Sequence, residues 1–199
     1  IVGRNCHRSV YHALALRRAR AEYLLPDQDG AVSPAAVEAA LAQNPDARLV
    51  ILTSPTYEGV LSDLPKICAL AHARAIPVLV DEAHGAHLGF GHGFPDGAVN
   101  AGADAVVHSL HKTLPSLTQT AVLHVKGDLA DPEAARRALA IFETSSPSYP
   151  LMASIEGCVS LLEARGAELF AAWADALALF RERTKSLQFL APAGGEVLR

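Results

Sequence analysis

The chain has 199 residues, half of them hydrophobic and 19% charged, a balance typical of a globular protein and not of a disordered one. A net charge of -4 and the lack of a dense lysine or arginine tract argue against nucleic acid as a partner. No run of about 18 apolar residues occurs, so no membrane span is predicted. The cysteines, Cys6, Cys68 and Cys158, form no CxxC pair, which favours reduced thiols in a cytoplasmic protein.

Short apolar runs alternate with amphipathic stretches along the chain. Proline one residue after a capping side chain marks several helix starts. In chain order we predict a helix at 33–42, a strand at 49–53, a helix at 63–74, strands at 77–81, 103–108 and 121–125, a helix at 131–142, and at 150–189 one long helix or two, interrupted near Gly166.

The runs at 49–53 and 77–81 are continuously apolar, as in strands that helices cover on both faces. Strands that alternate with helices over long connections pair in parallel, with right-handed crossovers. We therefore predict an α/β fold, a layered α/β/α architecture around a mostly parallel sheet.

Polar side chains follow three of the predicted strands at their carboxyl ends, where parallel sheets bind ligands. Asp81 closes one strand, Lys112 lies just past another, and Tyr57 follows a third. A lysine flanked by apolar strands is expected to be partly buried. Burial lowers the pKa of the amine and favours Schiff-base chemistry. The alternative is an ordinary surface lysine on a loop.

Asp81 gives Lys112 the partner that a pyridoxal 5'-phosphate (PLP) site requires. A carboxylate keeps the pyridine nitrogen of PLP protonated, and Lys112 follows 31 positions later (112 minus 81). Asp81 is alternatively a helix cap, or a metal ligand with His84 and His87, although no further pair completes a metal site. The run 81–84 also resembles a helicase box, but the phosphate-binding GxxxxGK[ST] loop is absent from the sequence.

Four segments together resemble the fold-type I PLP enzymes, and more narrowly the major domain of the ornithine/lysine/arginine decarboxylase family in the aspartate-aminotransferase-like superfamily. The resemblance covers about residues 1 to 165 and implies a PLP-transferase-like large domain. The segments are Asn-Cys-His-Arg-Ser at 5–9, Asp-Glu-Ala-His-Gly-Ala-His at 81–87, His-Ser-Leu-His-Lys-Thr-Leu-Pro at 108–115 and Thr-Ser-Ser-Pro-Ser-Tyr at 144–149.

The resemblance implies the chemistry of the site. Lys112 would hold PLP covalently, Asp81 would pair with its pyridine nitrogen, and His84 would lie beside the ring near the phenolic oxygen as a second catalytic residue. The implied activity is decarboxylation of a basic amino acid, which is arginine, lysine or ornithine. Orientation and electrostatics would be the protein's share of that reaction.

The resemblance also implies the remaining contacts to the cofactor. His7 would stack on the ring, and Ser109 and His111 would bind the phosphate group. Tyr57 is a weaker candidate for reaching the cofactor. Family members are commonly homodimers or larger, so the segment 144–148 is a candidate to reach the cofactor of a neighbouring subunit.

The sequence lacks two parts of the family pattern. The family's Gly-Ser/Thr-rich phosphate loop, upstream of the Asn-x-His segment, is not in this sequence, and neither is its C-terminal small domain. We therefore expect a fragment that binds PLP poorly or not at all by itself. Residues 1–165 are predicted to be a partial PLP-binding major domain, and 166–199 a helical segment leading to the missing C-terminal domain.

Two rival functions stay open at this point. A PLP-dependent aminotransferase or α-oxoamine synthase shares much of the pattern, but the lysine of the synthases typically follows Gly or Phe, whereas His111 precedes Lys112 here. The rival of another class is a non-catalytic dimerisation module that retains the fold.

Overall fold

The computed structural model describes residues 1–91 and 93–187 of the chain. The elements in these ranges are β1 (Val2–Gly3), α1 (Arg8–Arg17), β2 (Tyr23–Leu24), α2 (Pro34–Gln43), β3 (Val50–Thr53), α3 (Leu64–His72), β4 (Val78–Asp81), β5 (Ala105–Ser109), α4 (Leu110–Thr113), β6 (Ala121–Val125), α5 (Pro132–Phe142) and α6 (Tyr149–Thr184).

The six strands form one sheet in the order β2-β1-β3-β4-β5-β6. All neighbours pair in parallel except β5 and β6, which are antiparallel. The α/β prediction with a mostly parallel sheet is therefore confirmed. In the register, Thr53 lies opposite Asp81, and Asp81 lies opposite Val107, so the carboxyl ends of β3, β4 and β5 form one edge.

One face of the central strands is fully buried. Alternate residues of β3 and β4 are 0% exposed, and helices α2 and α3 contribute Leu41 and Ile67 to the same core. Each such side chain contributes about 1.5–3 kcal/mol through burial. The intervening residues, such as Ile51 and Leu79, are only partly buried. The continuously apolar strands predicted that helices cover both faces of the sheet. In this chain the second face is only partly covered.

The predicted helix starts are confirmed at three helices. The side chains of Ser33, Asp63 and Asp131 accept a backbone N–H two or three residues later, at the starts of α2, α3 and α5 respectively. Proline occupies the first or second helical position in each case, where its missing N–H costs nothing.

Of the two alternatives predicted for 150–189, the single long helix is confirmed, and the interruption near Gly166 does not occur. Helix α6 is continuous from Tyr149 to Thr184, and Gly166 is one of its buried residues. A glycine costs a helix interior about 1 kcal/mol, which 36 residues of helix absorb without a break. The division of the chain at residue 165 stays a prediction, since α6 crosses it and residues 188–199 lie outside the described ranges. No helix in those ranges is both long and apolar enough to cross a membrane.

Helix α6 packs against an aromatic cluster that includes a buried histidine. His87 is 3% exposed, and its ring lies 5.4 Å from that of Phe94 and 4.9 Å from that of Trp173. Its Nδ1 atom is buried without a hydrogen-bond partner. Burial, with a smaller contribution from the charge of His108, lowers the pKa of His87 to about 4.

We predict that His87 contributes to acid denaturation. Between pH 6.5 and 4 the unfolded chain binds a proton at His87 that the folded chain does not, so the free energy of unfolding falls by about 2 kcal/mol as the pH drops. The variant His87→Phe should lose less stability over this range in urea titrations, whereas His12→Phe, which replaces an exposed histidine, should behave like wild type. Equal pH dependence in all three proteins would contradict the assignment.

Candidate active site

The edge formed by the ends of β3, β4 and β5 gathers most of the polar residues that the sequence singled out. Asp81 is the last residue of β4, and Ser109 is the last residue of β5. The single turn α4 follows Ser109 directly and carries His111 and Lys112. The loop after β3 brings Tyr57 to the same edge.

Lys112 contacts His84 at the centre of this edge. The distance from Lys112 Nζ to His84 Nε2 is 3.0 Å. Burial lowers the pKa of His84, the positive charge of Lys112 lowers it further, and the charges of Asp81 and Glu58 act in the opposite direction. A histidine with a lowered pKa is neutral at pH 7, so its Nε2 accepts a hydrogen bond from the Lys112 ammonium group.

The Tyr57 ring packs edge-on against the same imidazole. The two ring centroids are 5.2 Å apart with an interplanar angle of 63°. Tyr57 itself is 83% exposed, and its loop is closed by hydrogen bonds between Thr56 and Val60. Gly59 has a φ of +89° in this loop, a conformation that glycine adopts without strain. His84 is therefore held between a lysine and an aromatic ring.

Asp81 keeps much of its carboxylate available for a ligand. Its Oδ1 atom accepts one hydrogen bond from the backbone N–H of Ala83 at 3.1 Å, which also fixes the turn toward His84. An ionised carboxylate accepts several hydrogen bonds, so capacity remains for a cationic N–H.

Lys112 is exposed, whereas the sequence predicted partial burial. The one-turn helix α4 stands at the open edge of the sheet, and the described residues do not cover the lysine. The burial that the sequence predicted for this amine is therefore absent among the described residues. The nearest observed influence on Lys112 is its hydrogen bond with His84.

The two predicted phosphate ligands, Ser109 and His111, both precede Lys112, at the end of β5 and on α4 respectively. Ser109 is the N-cap of α4 but makes no side-chain capping bond, so its hydroxyl is available. The His111 Nδ1 atom lies 2.9 Å from the Thr120 carbonyl oxygen. A carbonyl oxygen can only accept a hydrogen bond, so the His111 Nδ1 atom carries the proton in this contact.

His7 and the segment 144–148 do not join this cluster through any contact among the described residues. His7 is exposed and caps α1, where its Nδ1 atom accepts from the Ser9 backbone N–H at 3.3 Å. The segment 144–148 is exposed as well. Their roles at the cofactor stay predictions.

A buried polar network that was not predicted from the sequence lies behind the edge. Glu82 is 1% exposed and pairs with His108, which in turn contacts His124. The signal in the sequence was a charged residue directly after an apolar strand. Two hydroxyl oxygens near the edge, Thr53 Oγ1 and Thr113 Oγ1, are buried without a partner.

Comparison with solved structures defines the class of fold. A lysine decarboxylase LdcF from Francisella novicida superposes with a TM-score of 0.79 at 23% identity, covering 98% of this chain and 29% of that chain. A pyridoxamine-pyruvate aminotransferase from Mesorhizobium loti superposes with a TM-score of 0.74 at 17% identity, covering 98% of this chain and 54% of that one. The chain therefore has the fold of the PLP transferases.

Sequence comparison narrows this class to one family. The family described as Orn/Lys/Arg decarboxylase, major domain, matches residues 1–198. An arginine decarboxylase of Halalkalibacterium halodurans is 34% identical over the whole chain, which covers 42% of that protein. The protein YaaO of Bacillus subtilis (strain 168) is 45% identical over 78% of this chain and 34% of its own length. The chain belongs to the Orn/Lys/Arg decarboxylase family, and it spans less than half the length of these relatives.

The Lys112–His84 contact predicts a change in the titration of His84. Replacing Lys112 by Met removes the positive charge that lowers the pKa of His84, so this pKa should rise toward the ordinary value of 6.5. The measurement is an NMR titration of the His84 ring protons in cofactor-free protein. Lys126→Met is the matched control, because Lys126 contacts the Val99 carbonyl instead. An unchanged pKa of His84 in Lys112→Met would contradict the contact.

Proposed function

We propose that the protein carrying this chain is a PLP-dependent decarboxylase that acts on a basic amino acid: arginine, lysine or ornithine. The observation that supports this most directly is the 3.0 Å contact of Lys112 with His84, beside Asp81, in a chain of the Orn/Lys/Arg decarboxylase family. The reaction class is that of a carbon–carbon lyase.

The residues at the edge fit PLP by their chemistry. The cofactor presents an aldehyde, a pyridinium N–H and a phosphate. The edge offers an amine at Lys112, a carboxylate at Asp81, and a free hydroxyl at Ser109. The buried, unpartnered hydroxyl of Thr113 next to Lys112 is a further donor that a bound group would satisfy.

Each residue then has a defined task. The cofactor, when bound, supplies an electron sink for cleavage of a bond at the substrate α-carbon. Lys112 would attach it, and Asp81 would accept a hydrogen bond from the pyridine nitrogen. His84 orients Lys112 by accepting one of its N–H groups. We assign Ser109 and His111 to the phosphate and His7 to the ring face, as the family resemblance implies.

The relatives favour decarboxylation over the rival reactions. Proteins named arginine decarboxylase from three Bacillus species and from Halalkalibacterium halodurans are 33–34% identical over the whole chain. A lysine decarboxylase LdcA of Pseudomonas aeruginosa is 27% identical over 82% of it. The aminotransferase and other neighbours matched by structure are below 25% identity, so they support the fold alone.

The proposal predicts that the whole gene product in which this chain occurs develops a visible absorption band with PLP and releases carbon dioxide from arginine, lysine or ornithine. Lys112→Ala should abolish the band, and Asp81→Asn should lower kcat by at least about 100-fold, because the pyridine nitrogen loses its charged partner. Spectrophotometric titration and a carbon dioxide assay measure these effects.

The control is Lys126→Ala. Lys126 follows β6 at the edge of the sheet opposite the proposed site, so this variant should keep both the absorption band and the activity. A wild-type protein without the band would disprove PLP binding. Consumption of an acyl-CoA, or amino transfer without release of carbon dioxide, would assign the site to a rival reaction.

We further propose that the protein is a homodimer or larger homo-oligomer. Helix α5 has no buried residue, and its apolar side chains are open to solvent, with Ile141 77% and Phe142 76% exposed. Tyr149, the first residue of α6, is 76% exposed as well. Several large apolar side chains left exposed within a short stretch of sequence are typical of a surface that a partner covers. The segment 144–148 lies between these residues.

The variant Phe142→Asp should therefore weaken self-association of the gene product by at least about tenfold, since a buried aromatic side chain at an interface contributes more than 1.4 kcal/mol. Sedimentation velocity across a concentration series measures this. Arg137→Asp places the same carboxylate elsewhere on α5 and should leave association unchanged. A monomeric wild-type protein would contradict the proposal.

The cysteines support a reducing compartment, and we propose the cytoplasm. Cys6, Cys68 and Cys158 are all buried and unpaired. Burial raises the pKa of Cys68 to about 11, so its thiol stays protonated and inert. Buried thiols of this kind belong to the core rather than to a disulfide framework.

A further inference from the structure

Glu82 is a buried carboxylate that the proposed chemistry does not use. Its side chain is held on both oxygens: Oε1 accepts from the Ala98 backbone N–H at 2.8 Å, and Oε2 accepts from His108 Nε2 at 2.7 Å. A Cβ atom at Gly97 would come within 3.1 Å of Oε2, so the carboxylate is enclosed closely. Burying a charge is costly unless it is paired and hydrogen-bonded, and here it is both.

The pair lies directly behind the proposed cofactor site. Glu82 follows Asp81 in the chain, and His108 precedes Ser109. The Glu82 backbone N–H donates to the Val107 carbonyl at 3.0 Å and so extends the pairing of β4 with β5 by one residue. Successive residues of a strand point to opposite faces, so one face of these two strand ends carries the pair and the other carries the site residues.

His124 ties the third strand, β6, to this pair. Its Nε2 atom lies 3.2 Å from His108 Nδ1, and residues 106 and 124 are partners in the β5–β6 ladder. An ionised carboxylate only accepts, so the His108 Nε2 atom carries the proton in the contact with Glu82. Burial lowers the pKa of His124, and the charge of His108 lowers it further, which keeps His124 neutral.

A second buried carboxylate, Asp104, links the other end of these strands to each other and to helix α3, which ends at His72. Asp104, which precedes β5, accepts from the Val78 backbone N–H at 2.7 Å and pairs with His72 Nε2 at 2.8 Å. Asp104 is 4% exposed, so its burial resembles that of Glu82. Both carboxylates form a hydrogen bond between β4 and β5 or their flanking residues, but only Glu82 adjoins the lysine edge.

We propose that Glu82 and His108 are positioning residues, which set the spacing between Asp81 and the Ser109–Lys112 turn and thereby the fit of the edge to PLP. This inference rests on the proposed function, since it takes PLP as the ligand of the edge. Asp81 ends β4, and Lys112 stands on α4, which directly continues β5. Their separation therefore depends on how the ends of β4 and β5 are joined, and the Glu82–His108 pair is the side-chain bond closest to that junction. Misplacement by about 1 Å is enough to cost a site about 100-fold.

The test compares Glu82→Gln with Asp104→Asn, because each replaces a buried carboxylate that is hydrogen-bonded to one histidine and to one backbone N–H. In the whole gene product, Glu82→Gln should raise the Kd for PLP, measured by absorbance titration, by at least about tenfold. Asp104→Asn should change it by less than about twofold, since its pair lies at the far end of the strands. The Kd values are compared at a temperature where both variants are fully folded by circular dichroism.

The pKa of His84 in cofactor-free protein is the second readout. The charges that shift the pKa of His84 are those of Lys112, Asp81 and Glu58. Glu82 can therefore change this pKa only by changing where these groups lie. Loosening the Lys112 contact in Glu82→Gln should raise the pKa of His84 toward 6.5, whereas Asp104→Asn should leave it at the wild-type value. NMR titration of the imidazole protons gives this value without PLP.

The double variant Glu82→Gln/His108→Gln guards against loss of folding, because two neutral amides hydrogen-bond without leaving a buried charge unpaired. Equal effects of Glu82→Gln and Asp104→Asn on Kd and on the His84 titration would overturn the inference. So would unfolding of both Glu82 variants while Asp104→Asn stays folded, since the pair would then serve stability. If wild type binds no PLP, the proposed function fails, and the His84 titration alone decides the positioning role.

Discussion

The parallel hydrogen-bonded register of β3, β4 and β5 is the constraint on which the rest of this chain depends. It places Thr53, Asp81 and Val107 side by side and therefore brings three strand ends to one edge. Every polar group assigned to the proposed site, apart from His7, enters from one of those ends. A slip of one residue would turn Asp81 to the opposite face.

Local chemistry explains why so much of the fold was predictable. The core strands are short apolar runs, and the starts of α2, α3 and α5 carry a capping side chain with proline close behind, so these elements can be read from neighbouring residues. The strands β1 and β2 have only two residues each and exist through their pairing partners, so no local pattern marks them. The continuity of α6 through Gly166 likewise follows from its length and packing.

The site residues likewise fall into those that the local sequence marks and those that only the pairing of distant segments brings together. Asp81, His84 and Lys112 were predicted because strand ends and a motif mark them, and the structure brings Lys112 to within 3.0 Å of His84. The Glu82–His108 pair was missed because its partners are 26 residues apart in sequence, and only the β4–β5 pairing makes them neighbours. The burial expected for Lys112 was wrong because flanking apolar strands say nothing about what covers their ends.

The lysine stands on a helix of a single turn, which is far too short to be stable by itself. It is held in place by β5, from which it continues, and by the hydrogen bond from His111 to the carbonyl of Thr120, the residue before β6. Local fraying at this corner of the sheet would therefore release the lysine long before the core opened. Amide hydrogen exchange in residues 110–114 should therefore follow the fraying of β6, so Lys112 shares the dynamics of the antiparallel edge strand and not those of the parallel centre.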